Sequence, residues 1–259
     1  MATDPYVYPP PHQETLRNKF GELDKDILKG LEYAAAAERQ RQLESGEADI
    51  PRTYDGRHVE AIHAHLFQDV YDWAGQRRTV ELAKSGPGGF APIGQIDRYL
   101  ADAAKLIESA DWASMDLDEF AAKAAEVHAY VNQAHPQREG NGRAAKVFMQ
   151  HVSELSPYQL DFTKVPPAVW NQRSMLTDPD LGKYEPVPDM MVPVFKAIAE
   201  PRPGGPSATL LPAELKEARR VAGLDPNEAS ARTTKHQDAR KAGRQSASRG
   251  RPGQTVERD

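Results

Sequence analysis

The chain has 259 residues, of which 39% are hydrophobic and 27% are charged, so it is long enough for one generous domain or two small ones. It contains no cysteine, which excludes a disulfide scaffold and a cysteine-ligated metal site and fits a reducing cytosol. The net charge of −5 is uneven, because residues 201–259 hold 12 Lys and Arg against 7 Asp and Glu, whereas residues 1–200 hold 21 against 31. We therefore expect a domain over residues 1–200 and a separate basic tail over 201–259.

The N-terminal residues 1–11 have neither a basic start nor an apolar run. No stretch approaches the roughly 18 apolar residues that a membrane-spanning helix needs. The sequence therefore predicts a cytoplasmic protein with no cleavable signal and no contact with a membrane.

Helical patterns come first along the chain. Apolar residues recur at helical spacing from about residue 14 to about residue 44, where Ser45 and Gly46 stop the pattern. Asp55 is a candidate cap for the next helix, which has an apolar face at i, i+3 and i+4 up to Tyr71. These two helices form an N-terminal helical extension and the start of the main body.

The segment from residue 74 to residue 92 has a different character. Arg78–Leu82 alternates as a short strand does, and the glycines and proline of residues 85–89 form a turn cluster. We expect a small β-hairpin here, set among helices. For Arg77 and Arg78, two interpretations stay open, a solvated strand face and a contact with a target.

The remaining patterns are helical again. Helices are expected over 93–109 and 117–134, with Asp116 and Glu119 as a capping pair and Pro136 forcing the end of the second. Another begins inside Gly140-Asn141-Gly142, and shorter ones follow at 167–176 and 190–199. Beyond these we expect a Pro/Gly linker, an isolated helix at 211–222 and a disordered end. The predicted fold class is all-α, with one small β-hairpin and a disordered C-terminal tail.

The stretch from His135 to Lys146 joins two of these helices and carries most of the polar chemistry. Gly140 and Gly142 allow several backbone N–H groups to point at one spot at a helix N-terminus, which is how proteins bind phosphates. Arg143 and Lys146 add positive charge on the first turn. Glu139 beside the phosphates would hold Mg²⁺, and His135 at the other lip could take a proton from a hydroxyl. For transfer of a group onto a hydroxyl, this set supplies a base, positioning and charge stabilisation.

The same loop resembles the signature of the Fic family, His-x-Phe-x-Asp/Glu-Gly-Asn-Gly-Arg-x-x-Arg. Matching residues are His135, Glu139, Gly140, Asn141, Gly142 and Arg143. The resemblance extends over roughly residues 5–200. It implies a flap hairpin over the active site, whose residues Thr79, Val80, Glu81 and Leu82 would bind a target segment.

Two positions depart from that signature. Gln137 replaces a phenylalanine that anchors the loop, and a buried amide there would need hydrogen-bond partners or would loosen the loop. Lys146 replaces the last arginine, keeping the charge but losing the bidentate fork.

The resemblance implies a protein adenylyltransferase that uses ATP and Mg²⁺. His135 would be the general base for a Tyr, Thr or Ser hydroxyl of a protein substrate, Glu139 the metal ligand, and Gly140, Asn141, Gly142, Arg143 and Lys146 the nucleotide-binding residues. Two alternatives stay open. The same fold could use another donor, such as UTP, GTP or a phosphocholine carrier, or the chain could be a catalytically weakened binding module.

Control and export are further expectations. Many Fic proteins carry an inhibitory helix with the motif Ser/Thr-x-x-x-Glu-Gly/Asn, and the only Glu followed by Gly or Asn here is Glu139 in the loop itself. A small antitoxin acting in trans is therefore expected, with an unrestrained, exported effector as the alternative. The basic tail is read as a solvated end, a nucleic-acid contact or a signal for a secretion machine.

Overall fold

The computed structural model describes residues 4–82 and 89–206. The predicted helix at 211–222 and the predicted disorder of the tail lie outside these residues, and so do most of the predicted hairpin-turn residues. Within the described residues, no helix is both long and apolar enough to cross a membrane.

Seven α-helices and two short strands are the main elements of the described residues, which confirms the mostly helical fold. In chain order they are α1 (Lys25–Glu44), α2 (Gly56–Phe67), α3 (Ile96–Glu108), α4 (Leu117–Ala134), α5 (Asn141–Ser153), β1 (Tyr158–Leu160), α6 (Pro167–Met175), α7 (Val192–Ile198) and β2 (Ala199–Pro201). The helices after residue 90 agree with the sequence prediction apart from their ends.

Capping side chains set several helix starts. The Asp55 side chain accepts hydrogen bonds from the backbone N–H groups of Arg57 and His58 at the start of α2. Asp116 and Glu119 form a complete capping box at the start of α4. Both caps were expected, because side-chain oxygens satisfy N–H groups that have no partner inside the helix.

The first helix starts later than expected, and the predicted start at residue 14 is wrong. Asp24 caps α1 by accepting from the N–H groups of Asp26 and Ile27. Before it, the chain turns repeatedly, with an isolated bridge between Val7 and Leu16. Apolar residues continue at helical spacing through the turns before Asp24, so spacing alone placed the start of the helix too early.

The paired strands of the described residues lie away from the expected hairpin. Strands β1 and β2 form a two-stranded antiparallel sheet, with Gln159 opposite Glu200. In the hairpin segment, residues 79–82 contain no strand, and Gly89 alone among the described residues takes part in a bridge. The described arms of the expected hairpin therefore show no strand, and residues 83–88 between them lie outside the described residues. Strand β2 also crosses residue 200, where the domain was expected to end.

Helix α4 is the centre of the helical body and packs against α3, α5 and α7. Its core face is rich in small residues, since Ala121, Ala124 and Ala125 are fully buried. Small side chains let neighbouring helices approach closely and bury their larger residues, such as Phe120, against one another. This packing fixes the C-terminal end of α4, from which the polar loop leaves.

Candidate active site

The loop between α4 and α5 changes direction at two residues with positive φ. His135 follows the last residue of α4 at φ 40°, and Gly140 precedes α5 at φ 83°. Pro136 between them cannot continue the helix. The loop therefore leaves α4 at once and enters α5 with the free N–H groups of its first turn at the mouth of the loop.

Gly140 is required by its surroundings as well as by its φ. A Cβ on this residue would lie 2.4 Å from two ring carbons of Phe67 and 3.1 Å from Nε2 of His63. No real side chain tolerates such approaches, so the backbone of the loop lies directly on the α2 face.

His63 of α2 fixes the same backbone from the side. Its Nδ1 accepts a hydrogen bond from the N–H of Gly75 at 2.9 Å, so the proton is on Nε2, which donates to the carbonyl oxygen of Glu139 at 2.8 Å. Burial lowers the pKa of His63 to about 4, so the ring is neutral near pH 7. His63 therefore has a structural position, and its contact with the loop has no signal in the sequence.

A cavity of about 440 Å³ opens at the N-terminal end of α5. The loop and α5 contribute Glu139, Gly140, Gly142, Arg143 and Lys146 to its wall, and α1 contributes Lys29, Glu32 and Tyr33. Five of the seven residues expected to form the chemical centre therefore line one space. His135 and Asn141 do not line it.

The two cations of this cavity are held differently. The Arg143 guanidinium pairs with Glu32 through Nη2 and lies 4.6 Å from the ring centre of Phe67, while Nη1 is buried without a hydrogen-bond partner. The Lys146 ammonium lies 5.2 Å from the ring centre of Trp170 and makes no ion pair among the described residues. Burial lowers the pKa of Lys146 below its ordinary value. An anion entering the cavity would satisfy both groups.

His135 lies at the other end of the loop, half-buried, with its ring stacked on Phe90. Its carbonyl oxygen accepts a hydrogen bond from Nε of Arg78 at 2.8 Å, and the N–H of Arg78 donates to the carbonyl of Pro136 at 2.8 Å. Arg78, in the segment that follows α2, therefore holds the left-handed turn at His135 through two hydrogen bonds.

Arg78 is completely buried, and both sequence interpretations of it are wrong. Its guanidinium also donates to the carbonyls of Val80 and Ala91, which joins the two described arms of the expected flap. No solvated face and no target contact is available to a side chain in this position. Arg77 is half-buried and pairs with Glu60 and Asp97.

The expected target-binding residues are partly engaged within the chain. The N–H of Thr79 donates to the hydroxyl of Tyr6 at 3.0 Å, and the Val80 carbonyl is held by Arg78. Glu81 accepts a hydrogen bond from the N–H of Ile93. The N–H of Thr79 is therefore occupied within the chain and is not free to pair with a target backbone.

Glu32 is the residue of this site that sequence reasoning missed. It is buried and contacts Arg143, from which it is separated by 111 positions in the sequence. Its only sequence signal is a carboxylate at helical spacing between the apolar residues Leu28 and Ala36.

The match to known proteins covers the same part of the chain. The Fic/DOC family model matches residues 53–153, which include α2 to α5 and the loop. A relative from Sinorhizobium fredii, named "Probable protein adenylyltransferase y4lH", is 35% identical over 172 residues, which cover 63% of this chain and 82% of the relative. The chain therefore belongs to the Fic/DOC family.

Other relatives carry the same kind of name. The protein adenylyltransferase VbhT of Bartonella schoenbuchensis is 30% identical over 191 residues, which are 73% of this chain and 38% of that protein. The chain thus spans well under half the length of VbhT. These names describe nucleotidyltransferases that act on proteins.

Solved structures share the fold. The N-terminal Fic domain of a VirB-translocated effector from Bartonella quintana, with bound ADP, has a TM-score of 0.66 at 25% identity, covering 76% of this chain and 95% of that one. BepC from Bartonella tribocorum, with bound AMPPNP, has a TM-score of 0.65 at 24% identity, covering 76% and 97%. The latter comparison supports the fold alone.

Proposed function

We propose that this chain is a protein adenylyltransferase, which transfers AMP from ATP to a Tyr, Thr or Ser hydroxyl of a target protein. The observation that carries the proposal is the cavity at the N-terminus of α5. There, the backbone of Gly140 and Gly142 and the cations of Arg143 and Lys146 surround one space. Helix N-termini with adjacent cations bind phosphates.

The fit to a nucleotide rests on two further features. The buried Nη1 of Arg143 has no hydrogen-bond partner, and a phosphate oxygen would supply one. The Fic domain from Bartonella quintana that was solved with bound ADP has the same fold. A nucleoside triphosphate is therefore the proposed donor.

In the proposed reaction, the hydroxyl oxygen of the target attacks the α-phosphorus of ATP. A new O–P bond forms while the bond from the α-phosphorus to the bridging oxygen of the β-phosphate breaks. His135 accepts the proton of the hydroxyl, and the pyrophosphate leaves, held by the N–H groups of the loop, by Arg143 and by Lys146. General bases of this kind typically contribute about 10²–10⁴-fold to the rate.

Glu139 is the proposed ligand of Mg²⁺. Its side chain is exposed on the wall of the cavity, and one carboxylate together with phosphate oxygens is the usual donor set of this ion. Bound there, the ion would neutralise charge on the phosphates of the donor. Among the described residues, no group of three or more acidic, His or Cys side chains forms a ready metal site, so binding would depend on the nucleotide.

The test is transfer of radiolabel from α-labelled ATP to proteins of a bacterial or host lysate. The unmodified chain should label at least one protein, and His135→Ala should label none while still binding ATP. His12→Ala is the matched control, because His12 lies outside the loop and does not line the cavity. No label from the unmodified chain, with any lysate, would contradict the proposal.

The choice of donor is tested in the same assay. Because Lys146 gives a point charge where the family signature has the fork of an arginine, unlabelled UTP and GTP should be compared with ATP as competitors. Competition by UTP or GTP below the ATP concentration would favour the alternative donor. Transfer of phosphocholine would leave the α-label unused. Absence of any nucleotide binding would favour the binding module.

For control of the enzyme, we propose a small antitoxin acting in trans, with export as an effector as the alternative. The Bartonella proteins with similar solved structures are VirB-translocated effectors, which supports export. Expression of the chain alone and beside each neighbouring small reading frame distinguishes them. Toxicity that a neighbour relieves supports the antitoxin. Unaffected growth, together with delivery of a tail-dependent reporter, supports export and a role of the basic tail in secretion.

A further inference from the structure

Helix α1 is mostly exposed, and its few buried residues include a charged one. Only Leu28, Glu32 and Ala36 are buried, and they follow one another at i+4 along the face that packs on α2. A carboxylate on such a face is unfavourable unless both oxygens have partners. The contacts of Glu32 therefore explain why it is tolerated there.

Both oxygens of Glu32 are engaged. Oε1 accepts a hydrogen bond from Nη2 of Arg143, and Oε2 accepts one from the hydroxyl of Tyr71. Tyr71 is itself buried and stacks on Trp73 with ring centres 4.2 Å apart. The carboxylate is thus fixed by a rigid neighbour on one side and holds the guanidinium on the other.

This arrangement leaves one nitrogen of the Arg143 guanidinium, Nη1, buried without a protein partner. Nη2 is held by Glu32, and the plane of the group is flanked by the rings of Phe67 and Tyr33, at 4.6 and 5.1 Å from their centres. Nη1 has no hydrogen-bond partner. Glu32 and Arg143 both line the cavity where the donor is proposed to bind.

We infer that Glu32 is a positioning residue, which holds Arg143 so that Nη1 meets the phosphates of the nucleotide donor. The inference rests on the proposed function. A guanidinium that is already fixed loses little side-chain freedom when the phosphate binds, so the affinity depends on the partner that fixes it.

The hydrogen bonds of Glu32 and its negative charge have opposite effects on nucleotide affinity, so variants can separate them. The negative charge of Glu32 repels phosphates, whereas its hydrogen bonds orient Arg143. Glu32→Gln keeps the shape and an oxygen acceptor for Arg143 but removes the charge. Glu32→Ala removes both. Positioning predicts that Glu32→Ala weakens binding about tenfold while Glu32→Gln binds at least nearly as well as the unmodified chain.

The measurement is calorimetric titration of the full chain with AMPPNP and Mg²⁺. Glu38→Ala is the matched control, since Glu38 lies on the same helix, is exposed and pairs with Arg41. In an Arg143→Ala background, Glu32→Ala should cause no further loss of affinity, because the group that Glu32 positions is gone and only its repulsion of the phosphates is removed.

Three outcomes overturn the inference. Glu32→Ala could bind as well as or more tightly than the unmodified chain, which would mean that the carboxylate only occludes the site. Glu32→Gln could lose as much affinity as Glu32→Ala. Glu32→Ala could also weaken binding equally when Arg143 is absent.

A second variant covers the case in which Glu32→Ala does not fold. Tyr71→Phe removes only the hydroxyl that holds Oε2, and it should weaken AMPPNP binding about threefold, whereas unchanged affinity would count against positioning. Failure of the unmodified chain to bind AMPPNP is a different result, because it overturns the proposed function first.

Discussion

Gln137 and Asn141 close the loop between α4 and α5 through two reciprocal hydrogen bonds. The N–H of Gln137 donates to Oδ1 of Asn141 at 2.8 Å, and Nδ2 of Asn141 donates to the carbonyl oxygen of Gln137 at 2.8 Å. Both residues are buried. The side chain of Asn141 therefore holds the loop in place.

Asn141→Asp should destabilise the chain although the two side chains have the same shape. The aspartate still accepts from the N–H of Gln137, but it has no donor for the carbonyl, which then faces a carboxylate. The expected loss in the free energy of unfolding is about 1–3 kcal/mol, measured by urea denaturation. Asn171→Asp, at an exposed position of α6, is the control and should leave the midpoint unchanged.

Gly140→Ala should destabilise the chain far more than Gly142→Ala. At residue 140 the new Cβ meets the ring of Phe67 and φ is positive, whereas at residue 142 nothing lies within 4 Å and the residue is helical. We expect a loss of at least about 2 kcal/mol at residue 140 and a gain of up to about 1 kcal/mol at residue 142. Equal melting temperatures for the two variants would contradict the close approach.

Gln137→Met should stabilise the chain. Both polar atoms of the Gln137 side chain are buried without hydrogen-bond partners, and a methionine of similar length carries no amide to desolvate. An increase of about 1–3 kcal/mol in the free energy of unfolding is expected. A decrease would show that the amide has a partner, such as a buried water. Thermal unfolding of Gln137→Met and of the unmodified chain under identical conditions measures the difference in stability.

Stability should fall on acidification because of His63. Its pKa is about 4 in the folded chain against about 6.5 when unfolded, so between these values only the unfolded chain gains the proton. The contribution of neutral His63 to the free energy of unfolding is complete above pH 6.5 and decreases as the pH falls. At pH 5 it is about 2 kcal/mol smaller. Urea denaturation at pH 7 and pH 5 measures it.

The control for that prediction is His63→Gln, which has no group that titrates in this range. This variant should show a shallower dependence of stability on pH than the unmodified chain. An identical slope in both proteins would assign the acid sensitivity to other groups. The buried pair of His58 and His151 is the first candidate, because burial also lowers the pKa of each.

The sequence by itself determined the elements whose signals are local. The caps at Asp55 and Asp116 and the stop at Pro136 each depend on neighbours a few residues away, and the structure has the helix ends where these residues place them. The loop of residues 135–146 could be recognised for the same reason, since its two glycines and two cations lie within seven consecutive residues, 140–146.

Only the tertiary structure decided how that loop is held and what completes the cavity. Glu32 reaches Arg143 from another helix, His63 holds the Glu139 carbonyl, and Arg78 is buried beneath His135. In the same way, alternation in the sequence does not reveal that Tyr6 and Arg78 hold the backbone groups of residues 79 and 80. Such partners are set by long-range packing, since a buried polar group must be satisfied by whichever element the fold brings next to it.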